Sequence, residues 1–304
     1  MKTHSITVVG STNTDMVIKT SRLPLPGETI IGGDFLMNPG GKGANQAVAA
    51  ARLGGNVKLV AKTGEDIFGR QTKVLLESEN LGTEFLFSDP GTPSGIALIT
   101  VDDHAENCIV VAPGANARLL KEDIDRALPA ILSAEIVLMQ LEIPLDTVIY
   151  AAEIAFKAGK KVILNPAPAQ KLPDELLKML YLITPNETEA ELLTGIPITD
   201  HQSAETAART LLAKGVEVVV VTLGSKGALV VTSEICELIP AYQVEAVDTT
   251  AAGDCFNGAL AVALSEGAGL AKAIGFANKA ASLSVTRMGA QASVPYRNEI
   301  DFNF

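Results

Sequence analysis

Short runs of aliphatic and β-branched residues alternate along most of the chain with longer stretches of helical periodicity. Continuous apolar runs at 6–9, 57–61, 136–139, 161–164, 181–184 and 216–222 predict strands buried on both faces. Between them, helical patterns fall at about 67–81, 121–132, 145–158, 173–180, 187–194 and 202–214. An alanine-rich helix is expected after 39–43, ending near Gly54, and two more over about 253–264 and 271–287. This order predicts the α/β class: a central, mostly parallel sheet with helices on both faces, in three Rossmann-type layers. Without an internal repeat or linker, the chain reads as one domain over 1–304. Two stretches break the rhythm. Residues of about 15–38, around a turn at Pro24 and Gly27, and of 94–111 are alternating segments with no room for crossover helices. They predict a small four-stranded β lid off the main body, covering a site or pairing with another chain.

In such a sheet ligands gather at the strand C-termini. Polar residues stand there: Asn13 and Asp15 in a turn after the first strand, then Gln140 and Glu142, Asn165, Asn186 and Glu189, and Thr222 with Gly224. The turn at 10–15 lacks the G-x-G-x-x-G of a dinucleotide fold, which disfavours a nicotinamide dehydrogenase. Gly40, Gly41, Lys42 and Gly43 open the alanine-rich helix but do not make a phosphate-binding Walker loop, since Lys42 is followed by Gly43. These glycines are either a flexible entry or a place where ligand meets backbone, with Asn45 directed to the same region.

The stretch 248–258 turns from small loop residues into an apolar helix. Ala251, Ala252 and Gly253 leave the first backbone N–H groups of that helix open to an anion. Asp254 stands within this cationic end, which is expected to keep it ionised and able to accept a proton; the alternative is a capping carboxylate. A similar choice applies to 184–191, where Asn186 and Glu189 either cap a helix or face a hydrated Mg2+ near phosphates. The tight turn through Gly224 and Gly227 could carry a purine.

Composition narrows the partners. With 304 residues, 47% of them hydrophobic, the chain can bury a large core, and its net charge of -11 argues against nucleic acid and anionic membrane. No apolar run reaches the roughly 18 to 20 residues of a membrane span. Residues 1–10 carry no signal-peptide pattern, so a cytoplasmic location is expected. Cys108, Cys236 and Cys255 are widely spaced, expected as reduced thiols, and His4, His104 and His201 are expected at the surface.

In order along the chain stand Gly40-Gly-Lys-Gly-Ala-Asn45, Asn165-Pro-Ala-Pro-Ala169, Thr184-Pro-Asn-Glu-Thr-Glu189, Thr222-Leu-Gly-Ser-Lys-Gly227 and Asp248-Thr-Thr-Ala-Ala-Gly-Asp254-Cys-Phe-Asn-Gly258. Together with the turn at 10–15, these resemble the ribokinase-like carbohydrate kinases. The resemblance implies ATP-dependent phosphorylation of a sugar, with the 5-hydroxyl of ribose as acceptor. It implies Asp254 as catalytic base and Ala251, Ala252 and Gly253 as anion hole, with Asn13, Asp15, Gly41, Lys42, Asn45 and Glu142 around the sugar. Asn186, Glu189, Thr222, Gly224 and Gly227 would serve ATP and Mg2+, with Asn278 near the base. A K+ site would draw on Asp248, Thr250, Ser284, Arg287, Gly289 and Ser293, several of them through carbonyls. The lid would also form a homodimer interface. Two alternatives stay open: a kinase for 2-deoxyribose or another sugar, and a sugar-binding regulator without catalysis.

Overall fold

The computed structural model describes residues 4–104 and 106–302. Its strands are β1 (Ser5–Val9), β2 (Asn13–Lys19), β3 (Phe35–Gly40), β4 (Asn56–Gly64), β5 (Leu86–Asp89), β6 (Gly95–Val101), β7 (Asn107–Ala112), β8 (Ile136–Met139), β9 (Lys161–Leu164), β10 (Leu182–Ile183), β11 (Val218–Thr222), β12 (Ala228–Val231) and β13 (Cys236–Ile239). Among the described residues, nine of these form one sheet in the order β13-β12-β11-β10-β9-β8-β1-β4-β5. It is parallel except at β12 and β13, which return as an antiparallel edge. Its helices are α1 (Lys42–Arg52), α2 (Ile67–Ser78), α3 (Lys121–Arg126), α4 (Leu128–Ser133), α5 (Leu145–Lys157), α6 (Asp174–Leu177), α7 (Glu187–Thr194), α8 (His201–Ala213), α9 (Ala252–Ser265) and α10 (Leu270–Ser284).

Alternation along each strand divides the core in two. Ile136, Leu138, Val218 and Val220 pack with the helices α1, α9 and α10 on one face. Val137, Met139, Val219 and Val221 pack with α4, α5 and α8 on the other. Both faces are therefore covered, and the strands can be apolar throughout. On the first face every residue from Asp254 to Ser265 is buried, so α9 is a core helix. It approaches α1 closely: a Cβ on Gly258 would stand 2.7 Å from the Ala49 Cβ and 2.7 Å from the Gln46 carbonyl oxygen.

The second sheet, β3-β2-β6-β7, is the small four-stranded sheet expected from 15–38 and 94–111. One correction concerns its start. Asn13 and Asp15 belong to β2, with Asn13 paired to Gly40 and Gly95, and Asp15 to Asn38 and Ala97, so they are strand residues and not part of a turn. The charged turn before β7 includes Ala105, which lies outside the described residues.

Other expectations shift locally. The helix expected over 121–132 is two short helices, because Pro129 enters near the start of α4 and cannot donate to the preceding turn. The segment 173–180 is helical only over α6 and then closes with Met179 N–H to Leu176 and Leu180 N–H to Leu177 carbonyls. The helix expected to reach 287 ends at Ser284. His4, His104 and His201 are exposed as expected. No described helix is long and apolar enough to cross a membrane.

Candidate active site

Parallel strands deliver their first polar residues in one row, because the register aligns their ends. Val9 pairs with Met139, Met139 with Leu164 and Leu164 with Ile183, so Gly10, Gln140, Asn165 and Thr184 follow side by side. Gly10 makes room for its neighbour: a Cβ there would lie 2.1 Å from Gln140 Oε1. Above this row cross the starts of α1 and α9.

Asp254 lies in the first turn of α9 and is buried. Capping is not its role, since its carboxylate turns away from the helix backbone to α1. Its Oδ2 accepts from Asn45 Nδ2 at 3.0 Å and its Oδ1 from Gln46 Nε2 at 2.9 Å. Burial pushes its pKa up; the Lys42 ammonium and the Asn45 and Gln46 amides act against that shift. The sequence reading assigned the task of keeping it ionised to the helix start; the Lys42 ammonium and the two amides join in that task.

The residue before the helix, Ala251, has φ 58°. A left-handed alanine costs on the order of 1 kcal/mol and marks a backbone fixed by its surroundings. Of the three small residues, Ala252 N–H bonds the Thr249 carbonyl at 3.2 Å. Gly253 is exposed, and a Cβ on it would meet nothing within 4 Å, so the space in front of this turn is open.

Asn13, Asp15, Gly41, Lys42, Asn45 and Glu142 collect on the lid side of Asp254. Asn116, which the sequence did not single out, holds this corner: its Nδ2 donates to Asn13 Oδ1 at 2.7 Å and its Oδ1 accepts from Thr12 N–H at 2.9 Å. Gly41 (φ 88°) lies against the Thr12 and Asn13 backbone, where a Cβ would come within 2.7 Å. Glu142 Oε2 accepts from Ser11 Oγ at 2.6 Å and Lys42 N–H at 2.9 Å. Burial, with Glu142 and Asp254 nearby, pushes Asp15 up to about 6, while Lys42 pulls it down. Lys42 itself loses hydration, yet Asp254, Glu142, Glu189 and Asp15 outweigh that and hold its ammonium above the usual lysine range. One cation thus sits among four carboxyl groups.

On the other side of Asp254 opens a cavity of about 640 Å³. Asn186, Glu189, Thr222, Gly224, Gly227 and Asn278 all line it, as do Ala251, Ala252 and Gly253. Asn186 and Glu189 do form a reciprocal helix cap: Asn186 Oδ1 accepts from Glu189 N–H at 2.8 Å, and Glu189 Oε2 from Asn186 N–H at 2.9 Å. The capping alternative is therefore real here, alongside exposure to the cavity. Burial pushes the Glu189 carboxyl up, opposed by Asn186 N–H and Lys42. Gly227 (φ 108°) admits the segment after β13, for a Cβ would lie 2.1 Å from the Ile239 carbonyl oxygen. Asn278 Nδ2 fastens that same segment by donating to the Ile239 and Pro240 carbonyls at 3.0 and 3.2 Å.

Behind the cavity wall, Asp248 Oδ1 accepts from Thr250 N–H at 2.9 Å and Oδ2 from Gly289 N–H at 2.8 Å. Burial raises the Asp248 pKa, but these hydrogen bonds and the Thr250 hydroxyl win, and the carboxyl lies below its ordinary value. Ser284 and Ser293 turn their hydroxyls to the Ala281 and Ala290 carbonyls, and Arg287 pairs with Glu299. The ionised Asp248 carboxylate is a hard oxygen donor of the kind a monovalent cation accepts, held in place by backbone N–H groups. The Arg287 side chain is committed elsewhere.

Sequence reading missed the amides that frame Asp254 and its helix. Gln46 sits unremarked inside the alanine-rich helix, Gln291 in a polar loop, and Asn257 in the apolar part of α9. Asn257 Nδ2 donates to the Gly253 carbonyl at 2.8 Å, and its Oδ1 accepts from Thr184 Oγ1 at 2.7 Å.

Known proteins share this architecture. The sequence pattern of the pfkB family carbohydrate kinases matches residues 3–297. A ribokinase of Haemophilus influenzae is 46% identical over 295 residues, covering 97% of this chain and 96% of the relative. A deoxyribokinase of Salmonella typhi is 41% identical over 291 residues, 95% of each. The structure of an Arabidopsis thaliana ribokinase complexed with ribose and ATP superposes with a TM-score of 0.89 at 37% identity, covering 96% of both chains.

Proposed function

The chain belongs to the pfkB family of carbohydrate kinases, and from that premise we propose that it transfers the γ-phosphoryl group of ATP to the 5-hydroxyl of D-ribose. The observation that carries this reading is the position of Asp254, at the start of α9 between a polar corner under the lid and a cavity of about 640 Å³. A sugar fits the first and a nucleotide the second.

The chemistry follows from that position. The 5-hydroxyl oxygen bonds the γ-phosphorus as the bond from that phosphorus to the β–γ bridging oxygen breaks; the hydroxyl proton passes to Asp254 and ADP departs. The transition state is loose, so Asp254 acts mainly by orienting the hydroxyl and taking its proton late. The backbone N–H groups of Ala251 and Gly253, with the helix dipole behind them, face the charge that develops on the phosphates, while Ala252 N–H holds the turn through the Thr249 carbonyl. Asn13, Asp15, Gly41, Lys42, Asn45 and Glu142 hold the sugar. Asn186, Glu189, Thr222, Gly224 and Gly227 hold ATP, and Asn278 supports the wall beside its base. Mg2+ bound to the phosphates would neutralise their charge, and the Glu189 carboxylate, facing the cavity, fits it through water. K+ would be held around Asp248, Thr250, Ser284, Arg287, Gly289 and Ser293, where its charge would steady the loop that leads into α9.

Two further assignments complete the reading. The lid exposes Phe35, Leu36, Met37, Ile109, Val110 and Val111, and a second copy of the chain covers them in a homodimer. The cytoplasm is the compartment, consistent with three cysteines present as thiols.

A second reading, 2-deoxyribose as acceptor, draws support from the 41% identity to a deoxyribokinase. One experiment separates the two. ADP release is coupled to a dye or NADH signal with ATP and Mg2+ over ribose, 2-deoxyribose, fructose and adenosine, each in K+ or Na+. Fast, K+-dependent turnover on ribose supports the proposal, preference for 2-deoxyribose supports the second reading, and no sugar-dependent release from folded protein removes both.

A further inference from the structure

Asp254 is the head of two chains of buried side-chain amides. On one side Gln46 Nε2 donates to Asp254 Oδ1 at 2.9 Å and to Asn165 Oδ1 at 3.0 Å, so both of its N–H groups are engaged. Its Oε1 then faces Gln140, whose Nε2 donates at 2.6 Å. On the other side Asn45 Nδ2 donates to Asp254 Oδ2 at 3.0 Å, and Asn45 Oδ1 accepts from Gln291 Nε2 at 3.1 Å. A carboxylate only accepts, which fixes the orientation of the first amide and through it the second. The chains end on Gln140 Oε1 and Gln291 Oε1, two buried oxygens with no hydrogen-bond partner among the described residues. An orphaned carbonyl is costly, and both orphans stand at the far end of a chain that donates to the same carboxylate.

We propose that Gln46 is the positioning residue that aims Asp254 at the sugar hydroxyl, and that Gln140, behind it, fixes which end of the Gln46 amide faces the base. The idea rests on the kinase reading above and adds to it a residue that touches neither substrate. Gln46 restrains the plane of the carboxylate and takes one lone pair of Oδ1. Lys42, Asp15, Glu142 and Glu189 supply the surrounding charge, with the neutral Cys255 thiol beside them.

The test uses the full chain and coupled ADP release with ribose and ATP, beside the unsubstituted protein. Gln46→Met keeps the volume and removes the donor. The expected result is a kcat lower by about tenfold to a hundredfold, the worth of one hydrogen bond to a charged group, with KM for ribose within about threefold. The acid limb of its pH profile moves upward, because removing a donor to the carboxylate raises the pKa of the base. Gln140→Glu is the second variant. While protonated, its carboxyl donates to Gln46 Oε1 as the amide did; once ionised, it sets two acceptors face to face and Gln46 must turn its oxygen toward Asp254. Burial carries that ionisation toward neutral or alkaline pH, so kcat falls there along a limb that the unsubstituted protein lacks. A Gln46→Met enzyme with unchanged kcat and acid limb, or a Gln140→Glu profile parallel to the original, overturns the proposal. Absence of ribose turnover in the unsubstituted protein instead overturns the kinase reading.

Discussion

Gly258 and Ala49 face each other across the crossing of α9 and α1 so closely that a Cβ on the glycine would stand 2.7 Å from the Ala49 Cβ. This contact sets the distance between Asp254 on one helix and Asn45 and Gln46 on the other. Gly258→Ala should push the helices apart, cost about 1 to 3 kcal/mol of stability as overpacking does, and lower kcat at least about tenfold by lengthening hydrogen bonds to the base. Thermal melting and coupled ADP release check it; unchanged melting and turnover would show that the crossing tolerates a methyl group.

Asp254→Asn keeps the shape and removes the carboxylate that can take a proton. The variant is expected to fold and to bind ribose and ATP while losing at least about a thousandfold in turnover, the combined worth of proton acceptance and hydroxyl orientation. Isothermal titration alongside turnover separates the two effects. Activity near that of the original protein refutes the role of Asp254 as base.

Asp15 makes a prediction about stability. Its carboxyl, pushed up to about 6 from 3.8 mainly by burial, is favoured in its neutral form by the folded state. The resulting stabilisation is complete below about pH 4 and disappears as pH rises through about 6. Asp15→Asn keeps a neutral group at every pH, so it should gain about 1 to 3 kcal/mol over the original near pH 7 and lose that advantage by pH 4. Its KM for ribose should rise. Melting temperatures of both proteins from pH 4 to 8 decide it: a gap independent of pH would rule out the Asp15 ionisation as its source.

Asp248 links the backbone of Thr250 to that of Gly289 just ahead of α9. If a monovalent cation sits there, exchanging K+ for Na+ should lower kcat/KM several-fold, and Asp248→Asn should remove most of the difference between the ions. A variant that keeps the full K+ response places the cation elsewhere.

Much of this was legible in the sequence. The doubly buried strands announce themselves as unbroken apolar runs, and Asp254 stands out because an acidic residue after three small ones opens an apolar helix. Elements of mixed character were not legible: β5 and β13 are edge strands with no continuous apolar run, and Asn13 looked like turn chemistry while its strand pairs lie on both sides of it. Gln46 was hidden for a different reason. A glutamine in a helix is ordinary, and its partners are 94, 119 and 208 residues away. Gln291 is further still, 246 residues from Asn45. Contacts at such separation have no local pattern to betray them.

Asn13 and Asp15, proposed to face the sugar, are also the first rungs of the strand that the lid is built on, paired to β3 on one side and β6 on the other. The cover and the recognition surface are one piece of polypeptide. A protein engineer who grafted the lid of a relative onto this scaffold could not leave substrate choice behind: the graft would import the donor's sugar preference, and a lid tuned only for assembly would put selectivity at risk.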